Sequence, residues 1–174
     1  MRRRIGIMFA LAACAALATA IAIVAVAGDK ASPERNINVQ DIPETTVKDL
    51  IGKAKDASKK AYAPYSKFSV GAAVLTDSGD VFTGCNVENA SYGLTICAER
   101  NAVFQMVAQA KRKIKMVVIY TPPAKPSAPC GACRQVVNEF GPDALILSVC
   151  DGPDVLRKKL SDLLPDAFGP ANLK

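Results

Sequence analysis

A cysteine at position 97 and a Cys-x-x-Cys pair at 130 and 133 constrain this 174-residue chain more than any other feature. They stand in Cys97-Ala98-Glu99-Arg100 and Pro129-Cys130-Gly131-Ala132-Cys133-Arg134-Gln135, so a fold that unites them must bring two distant segments to one point. One thiol plus two can hold a zinc ion and leave its fourth tetrahedral position open. A structural zinc site closes all four positions, whereas a catalytic one keeps one for water. The chain has no histidine, so imidazole can neither complete the set nor act as the base. Glu99, two residues from the first thiol, is placed to act as that base. The combination points to a hydrolytic metal site.

Hydrophobic periodicity places these motifs on elements. Val47, Leu50, Ile51, Ala54, Ala57 and Ala61 recur at helical spacing from Thr46 to about Tyr62, with Thr45 or Thr46 available as cap. Residues 68–75 read as a strand, Asp77-Ser78-Gly79-Asp80 as a turn and Val81-Phe82-Thr83 as the returning strand of a hairpin. After an irregular stretch through Gly93, a helix opens at Cys97 and runs to about Ala110. Residues 116–120 and 144–149 are apolar runs that read as buried strands, with a helix over 131–140 between them; residues 155–164 mix strand and helix signals. Helices alternating with apolar strands predict an α/β fold, a three-layer α/β/α sandwich around a mixed sheet of about five strands.

Both thiol groups then fall at helix N-termini. Three thiolates with Zn²⁺ sum to a charge of −1, which opposes ionisation of a bound water. Each helix N-terminus offers roughly half a positive charge and free N–H donors. Arg100, three residues beyond Cys97, can add a full positive charge beside the sulfur. Together they should bring the water toward the pKa of ~7 typical of catalytic zinc.

Residues 5–27 carry no charge and follow Arg2-Arg3-Arg4. As a helix they would span roughly 34 Å, enough to cross a bilayer, and Ala25-Val26-Ala27 before Gly28 is a small-x-small cleavage pattern. Residues 1–27 therefore read as a signal peptide or an N-terminal membrane anchor, either of which implies an exported or membrane-anchored domain. A cytoplasmic location follows if the start is misassigned, and Leu11-Ala12-Ala13-Cys14 also resembles a lipidation box. Residues 28–44, with Pro33 and Pro43 among polar residues, read as a linker or arm, and 45–174 as the catalytic domain. Without residues 1–27, which hold three arginines and no acidic residue, the net charge falls from +6 to +3. That bias is too weak for polymeric nucleic acid, and with 6% aromatics and no tryptophan there is no stacking platform for single strands. Lys111-Arg112-Lys113 reads instead as the solvated C-terminal end of a helix.

The runs Phe68-Ser-Val-Gly-Ala-Ala, Gly84-Cys-Asn-Val-Glu-Asn-Ala-Ser-Tyr92, Cys97-Ala-Glu-Arg100, Pro129-Cys-Gly-Ala-Cys-Arg-Gln135 and Leu163-Leu-Pro-Asp-Ala-Phe168 closely resemble the small homotetrameric cytidine deaminases, over roughly residues 46–170. The two cysteine motifs are shared with other zinc deaminases, whose chemistry, including the three-cysteine set and the non-ligand glutamate, is a known general case. The Asn-Val-Glu-Asn run narrows the likeness to nucleoside substrates. The resemblance implies one Zn²⁺ per subunit on Cys97, Cys130 and Cys133, with Glu99 shuttling protons from water to the base and to departing ammonia. It implies that the Ala98 N–H holds the pyrimidine O2, that Asn86 and Glu88 bind the ribose hydroxyls, and that Phe68 stacks on the base. Phe168 would reach that base from a neighbouring subunit of a homotetramer with shared sites, and Arg100 and Gln135 would sit against the thiolates. The activity implied is hydrolytic deamination of cytidine and 2′-deoxycytidine, a pyrimidine-salvage reaction.

Duller readings compete. A closed four-sulfur zinc site could recruit Cys85 or Cys150, and an exported domain could oxidise Cys130 and Cys133 to a disulfide. Phe68 and Phe168 could be core aromatics, Asn86 and Glu88 turn residues, and Tyr92 structural. The whole could be a catalytically silent, membrane-tethered zinc or redox domain. A deaminase of nucleoside antibiotics of the blasticidin type would share the cysteine motifs but not residues 86–89.

Overall fold

The computed structural model describes residues 42–122 and 125–173. The expected leader at 1–27 and nearly all of the arm at 28–44 lie outside them. No helix among the described residues is long and apolar enough to cross a membrane.

The elements run α1 (Glu44–Ser58), β1 (Gly71–Thr76), β2 (Val81–Cys85), α2 (Ala98–Ala108), β3 (Ile114–Thr121), α3 (Gly131–Phe140), β4 (Leu145–Cys150), β5 (Val155–Lys159) and α4 (Leu160–Leu163). The five strands form one sheet in the order β2-β1-β3-β4-β5. β3 and β4 are parallel and every other pairing is antiparallel. A parallel pair needs a crossover connection, and α3 supplies it. The mixed five-stranded sheet expected from the sequence is what forms.

Strand alternation sorts the core into two layers. On one face Ala73, Leu75, Met116, Val118, Leu145 and Leu147 share a cluster with Val47, Leu50 and Ala54 of α1. On the other, Ala72, Val74, Val117, Ile119 and Ile146 share one with Ala102, Val103 and Met106 of α2 and Val137 of α3. Burial on both faces is why β3 and β4 read as continuous apolar runs rather than alternating ones. Two glycines let the helices close on the sheet. A Cβ on Gly71 would strike the backbone of Ala54 and Ser58 in α1; one on Gly84 would strike Ala102 N and lie 2.5 Å from Ala98 O in α2.

Three boundaries differ from expectation for a local reason. α1 starts at Glu44 behind Pro43, with no side-chain cap from Thr45 or Thr46, because buried Ile42 already anchors the chain ahead of it. It ends at Ser58 rather than near Tyr62, whose N–H donates to Asn86 O at 3.0 Å. β1 begins at Gly71, not Phe68, because the Asn86 side chain takes over the next backbone groups: its Nδ2 donates to Phe68 O and its Oδ1 accepts from Val70 N, both at 2.8 Å. The ambiguous 155–164 stretch splits into β5 and α4. Lys111-Arg112-Lys113 does follow a helix end, where Arg112 Nη1 donates to Val107 O at 2.7 Å, as a cation should at the negative end of the dipole.

Candidate metal centre and active site

α2 and α3 begin at the cysteines themselves: Cys97 and Cys130 occupy the two N-cap positions in extended backbone conformation. An N-cap normally presents a side-chain oxygen to the first free N–H groups. Here sulfur stands in that place, and neither helix has a side-chain cap. Cys133 sits one turn into α3 and is fully buried. Gly84 against Ala98 and Ala102, with Asn101 Nδ2 donating to Cys85 O at 2.8 Å, fixes the start of α2 on β2.

The three sulfurs meet. Cys97 Sγ lies 3.9 Å from Cys130 Sγ, Cys130 Sγ lies 3.4 Å from Cys133 Sγ, and all three are within 4.8 Å of one another. A tetrahedral zinc with Zn–S near 2.3 Å separates its sulfurs by about 3.8 Å, so the thiols fit that ion with little movement. Among the described residues this is the one group of three such side chains that could hold a metal. The cysteines considered as a fourth ligand point elsewhere: Cys85 Sγ to Lys60 O, and Cys150 Sγ to Gly152 O and Asp154 O. No described cysteine is in a disulfide. Among the described residues no fourth protein donor joins the three sulfurs, which is the ligand count of an open site.

The surrounding charges suit a thiolate cluster. Arg100 Nη2 lies 3.7 Å from Cys97 Sγ and donates to Thr95 O at 3.1 Å, while its buried Nε has no acceptor among the described residues. A spare guanidinium donor beside sulfur is complementary to a site of net −1. Hydrogen bonding with the Cys133 thiol, and then with Arg100, lowers Cys97 to about 5 against the opposing effect of burial. The same bond, with burial, pushes Cys133 up. Glu99, in the first turn of α2, is only 5% exposed. Burial raises its carboxyl above the usual range, and the nearby Cys97 thiolate adds to the rise. A carboxyl so placed keeps a proton more readily than a solvated one. Ala98 is fully buried, and its N–H is among the first of α2 that no helical carbonyl can reach.

The expected substrate residues form a second group. Glu88 accepts from Tyr65 N at 2.8 Å and from Ser66 N at 3.3 Å; the Ser66 side chain first, and then these two backbone bonds, hold its carboxyl below the ordinary range against the opposing effect of burial. It lines a cavity of about 350 Å³ with Tyr65, Ser66, Tyr92 and Thr95. Thr95 thus joins the cavity to the metal side, since its carbonyl takes Arg100. Asn86 is buried, with its amide bonded to Phe68 O and Val70 N, so it braces half-buried Phe68 from behind. Gln135, expected beside the thiolates, has its Nε2 2.5 Å from Phe168 O, which ties α3 to the C-terminal segment. Phe168 is 59% exposed. Sequence reasoning missed Tyr65 and Thr95 as wall residues. The ring centroids of Tyr65 and Tyr92 lie 5.9 Å apart, a pairing between residues that only the fold brings together.

Comparison with known proteins agrees with this geometry. Residues 44–149 match the family model described as the cytidine and deoxycytidylate deaminase zinc-binding region. The chain is 43% identical over 129 residues to a cytidine deaminase of Sporosarcina psychrophila, covering 73% of this chain and 94% of that protein. It is 44% identical over 128 residues to the cytidine deaminase of Mycobacterium tuberculosis, covering 74% and 93%. The crystal structure of a cytidine deaminase from Burkholderia pseudomallei superposes with a TM-score of 0.67 at 50% identity, covering 70% of this chain and 98% of that one. With its three thiols gathered at two helix starts, the chain belongs to the zinc-binding cytidine and deoxycytidylate deaminase family.

Proposed function

We propose that the protein hydrolyses cytidine and 2′-deoxycytidine to the uridine forms and ammonia, with one zinc per subunit held by Cys97, Cys130 and Cys133. The observation that carries this is a buried carboxyl, Glu99, two residues from one sulfur of an open three-thiol cluster. Zinc there supplies a Lewis acid that makes water a competent nucleophile near neutral pH. Glu99 takes the proton that the water loses and delivers it to N3 of the base. Once the C4–O bond has formed, the same carboxyl takes the remaining proton of the new C4 hydroxyl and gives it to the amino group, so that C4=O forms as the C4–N bond breaks and ammonia leaves. Its raised pKa suits both directions of transfer. Ala98 N–H binds the pyrimidine O2, and Phe68, braced by Asn86, stacks on the ring. Glu88, preorganised by two backbone N–H groups, accepts from a ribose hydroxyl, and Asn86 is the second sugar-binding residue. Phe168, mostly exposed on its own chain, completes a neighbour's site in a homotetramer. The 23 uncharged residues at 5–27 behind three arginines are proposed to direct or anchor the domain at a membrane.

Zinc analysis together with ammonia release from cytidine tests this reading. One zinc per chain and turnover of cytidine support it; a metal-loaded protein that leaves cytidine intact overturns it. Within it, Glu88→Gln should weaken nucleoside binding by about 1.5–3 kcal/mol, the scale of a hydrogen bond to a charged group. The effect on free cytosine should be much smaller, and equal losses on the two would remove Glu88 from the sugar site.

A further inference from the structure

Arg134, which directly follows Cys133, has no role in the reading above. Arg134 is half-buried and makes no ion pair among the described residues. Its guanidinium spends itself on two carbonyls instead: Nε donates to Pro129 O at 2.8 Å and Nη1 to Leu163 O at 2.7 Å. Pro129 immediately precedes Cys130, and Leu163 ends α4 at the head of the segment that leads to Phe168. One further bond fastens that segment to α3: Gln135 Nε2 donates to Phe168 O. Residues 134 and 135 therefore grip the C-terminal segment by its backbone, at its start and at its aromatic residue. The Phe168 ring is left exposed. A guanidinium fork can span two acceptors in fixed geometry, which an ammonium cannot.

We infer that Arg134 is a positioning residue that locks the metal loop to the C-terminal segment and, through that segment, sets where Phe168 is presented to substrate. This rests on the deaminase reading for its kinetic consequences but not for its structural ones. The same fork that fixes Pro129 O ahead of a metal ligand fixes the carbonyl at which the segment turns toward Phe168. A shift of one is carried to the other.

The test uses the full chain with Arg134→Met, Arg134→Lys, Phe168→Ala and the Arg134→Met/Phe168→Ala pair. Steady-state kinetics are expressed per bound zinc, and amide hydrogen exchange is followed over residues 163–168. Arg134→Met should raise KM for cytidine roughly tenfold, the worth of one charge-assisted hydrogen bond, with kcat per zinc changed far less. Arg134→Lys, able to reach one carbonyl, should recover part of the affinity, and it carries the test alone if Arg134→Met does not fold. Exchange over 163–168 should quicken in both. In the Phe168→Ala background the arginine change should add nothing to KM, because residues acting through one contact are not additive. Multiplying KM effects, an unchanged KM with activity lost only as folded protein is lost, or unaltered exchange would each overturn the inference. If the wild-type chain does not deaminate cytidine, the deaminase reading fails while the exchange comparison still decides the role of Arg134.

Discussion

The two faces of the sheet are built alike and used differently. Each is covered by a helix brought close through a glycine, Gly71 under α1 and Gly84 under α2, and each buries an aliphatic cluster. The contrast lies where the helices begin. α1 starts behind a proline, and its positive end meets Glu44, which is exposed and 3.8 Å from Lys48. α2 and α3 start at cysteines, and the acidic side chain in the first turn of α2 is buried. One helix start is neutralised by a solvated carboxylate and the other two by sulfur. Packing alone does not separate a structural face from a reactive one; the residues spent on the helix N-termini do.

The sharpest way to break this comparison is to replace the buried carboxyl beside the thiols. Glu99→Gln keeps the shape and the first-turn position but cannot carry a proton. It should retain zinc and fold yet lose ~10²–10⁴ in kcat, the usual worth of a positioned acid–base group. Metal content and single-turnover deamination decide it. More than a tenth of the activity remaining would take Glu99 out of the proton path.

A matched pair of glycine substitutions asks whether the two faces differ only in chemistry. In Gly71→Ala and Gly84→Ala the new methyl meets helix backbone, which cannot swing aside as a side chain could. Each should cost about 1–3 kcal/mol of stability, the usual range for overpacking. Gly71→Ala moves α1, away from the thiols, and should leave kcat per folded molecule intact. Gly84→Ala moves the first turn of α2, which carries Cys97 and Glu99. It should cut kcat at least roughly tenfold, since small displacements of reacting groups carry large rate costs. Denaturant titration beside kinetics reads both, and equal kcat in the two variants would show that the start of α2 is not held by Gly84.

The same contrast explains what could be read in advance. The cysteine spacing and the apolar runs at 116–120 and 144–149 pointed to the three-thiol cluster and the central strands, because both depend on local residue type and period. What stayed hidden depends on side chains that bond across the fold. The Asn86 amide replaces a rung of β1 and so shortens a strand whose apolar pattern runs on to Phe68. Gln135 sits in a cysteine motif, and nothing local says that its amide is directed at a carbonyl 33 residues away. The Tyr65–Tyr92 wall has the same origin.

The smallest expected effect belongs to the structural face. Asp151 accepts from Lys55 Nζ of α1 at 2.9 Å and from Tyr120 OH of β3 at 2.7 Å, with the ammonium 5.0 Å from the Tyr120 ring centre. The Lys55 bond first, and then the Tyr120 hydroxyl, hold the Asp151 carboxyl below its ordinary value. A carboxylate depressed in the folded state contributes stability that is present above the unfolded value, about 3.9, and is lost as pH falls through the folded one. Asp151→Asn should therefore lower Tm slightly at pH 7 and progressively less below pH ~4. The group is solvent-exposed, so salt should shrink the difference further, and kcat should not change. Thermal melts of both proteins across that pH range measure it. A Tm gap that widens on acidification would mean that the α1 pin is not the ion pair, and a fall in kcat would mean that the two faces are not separable after all.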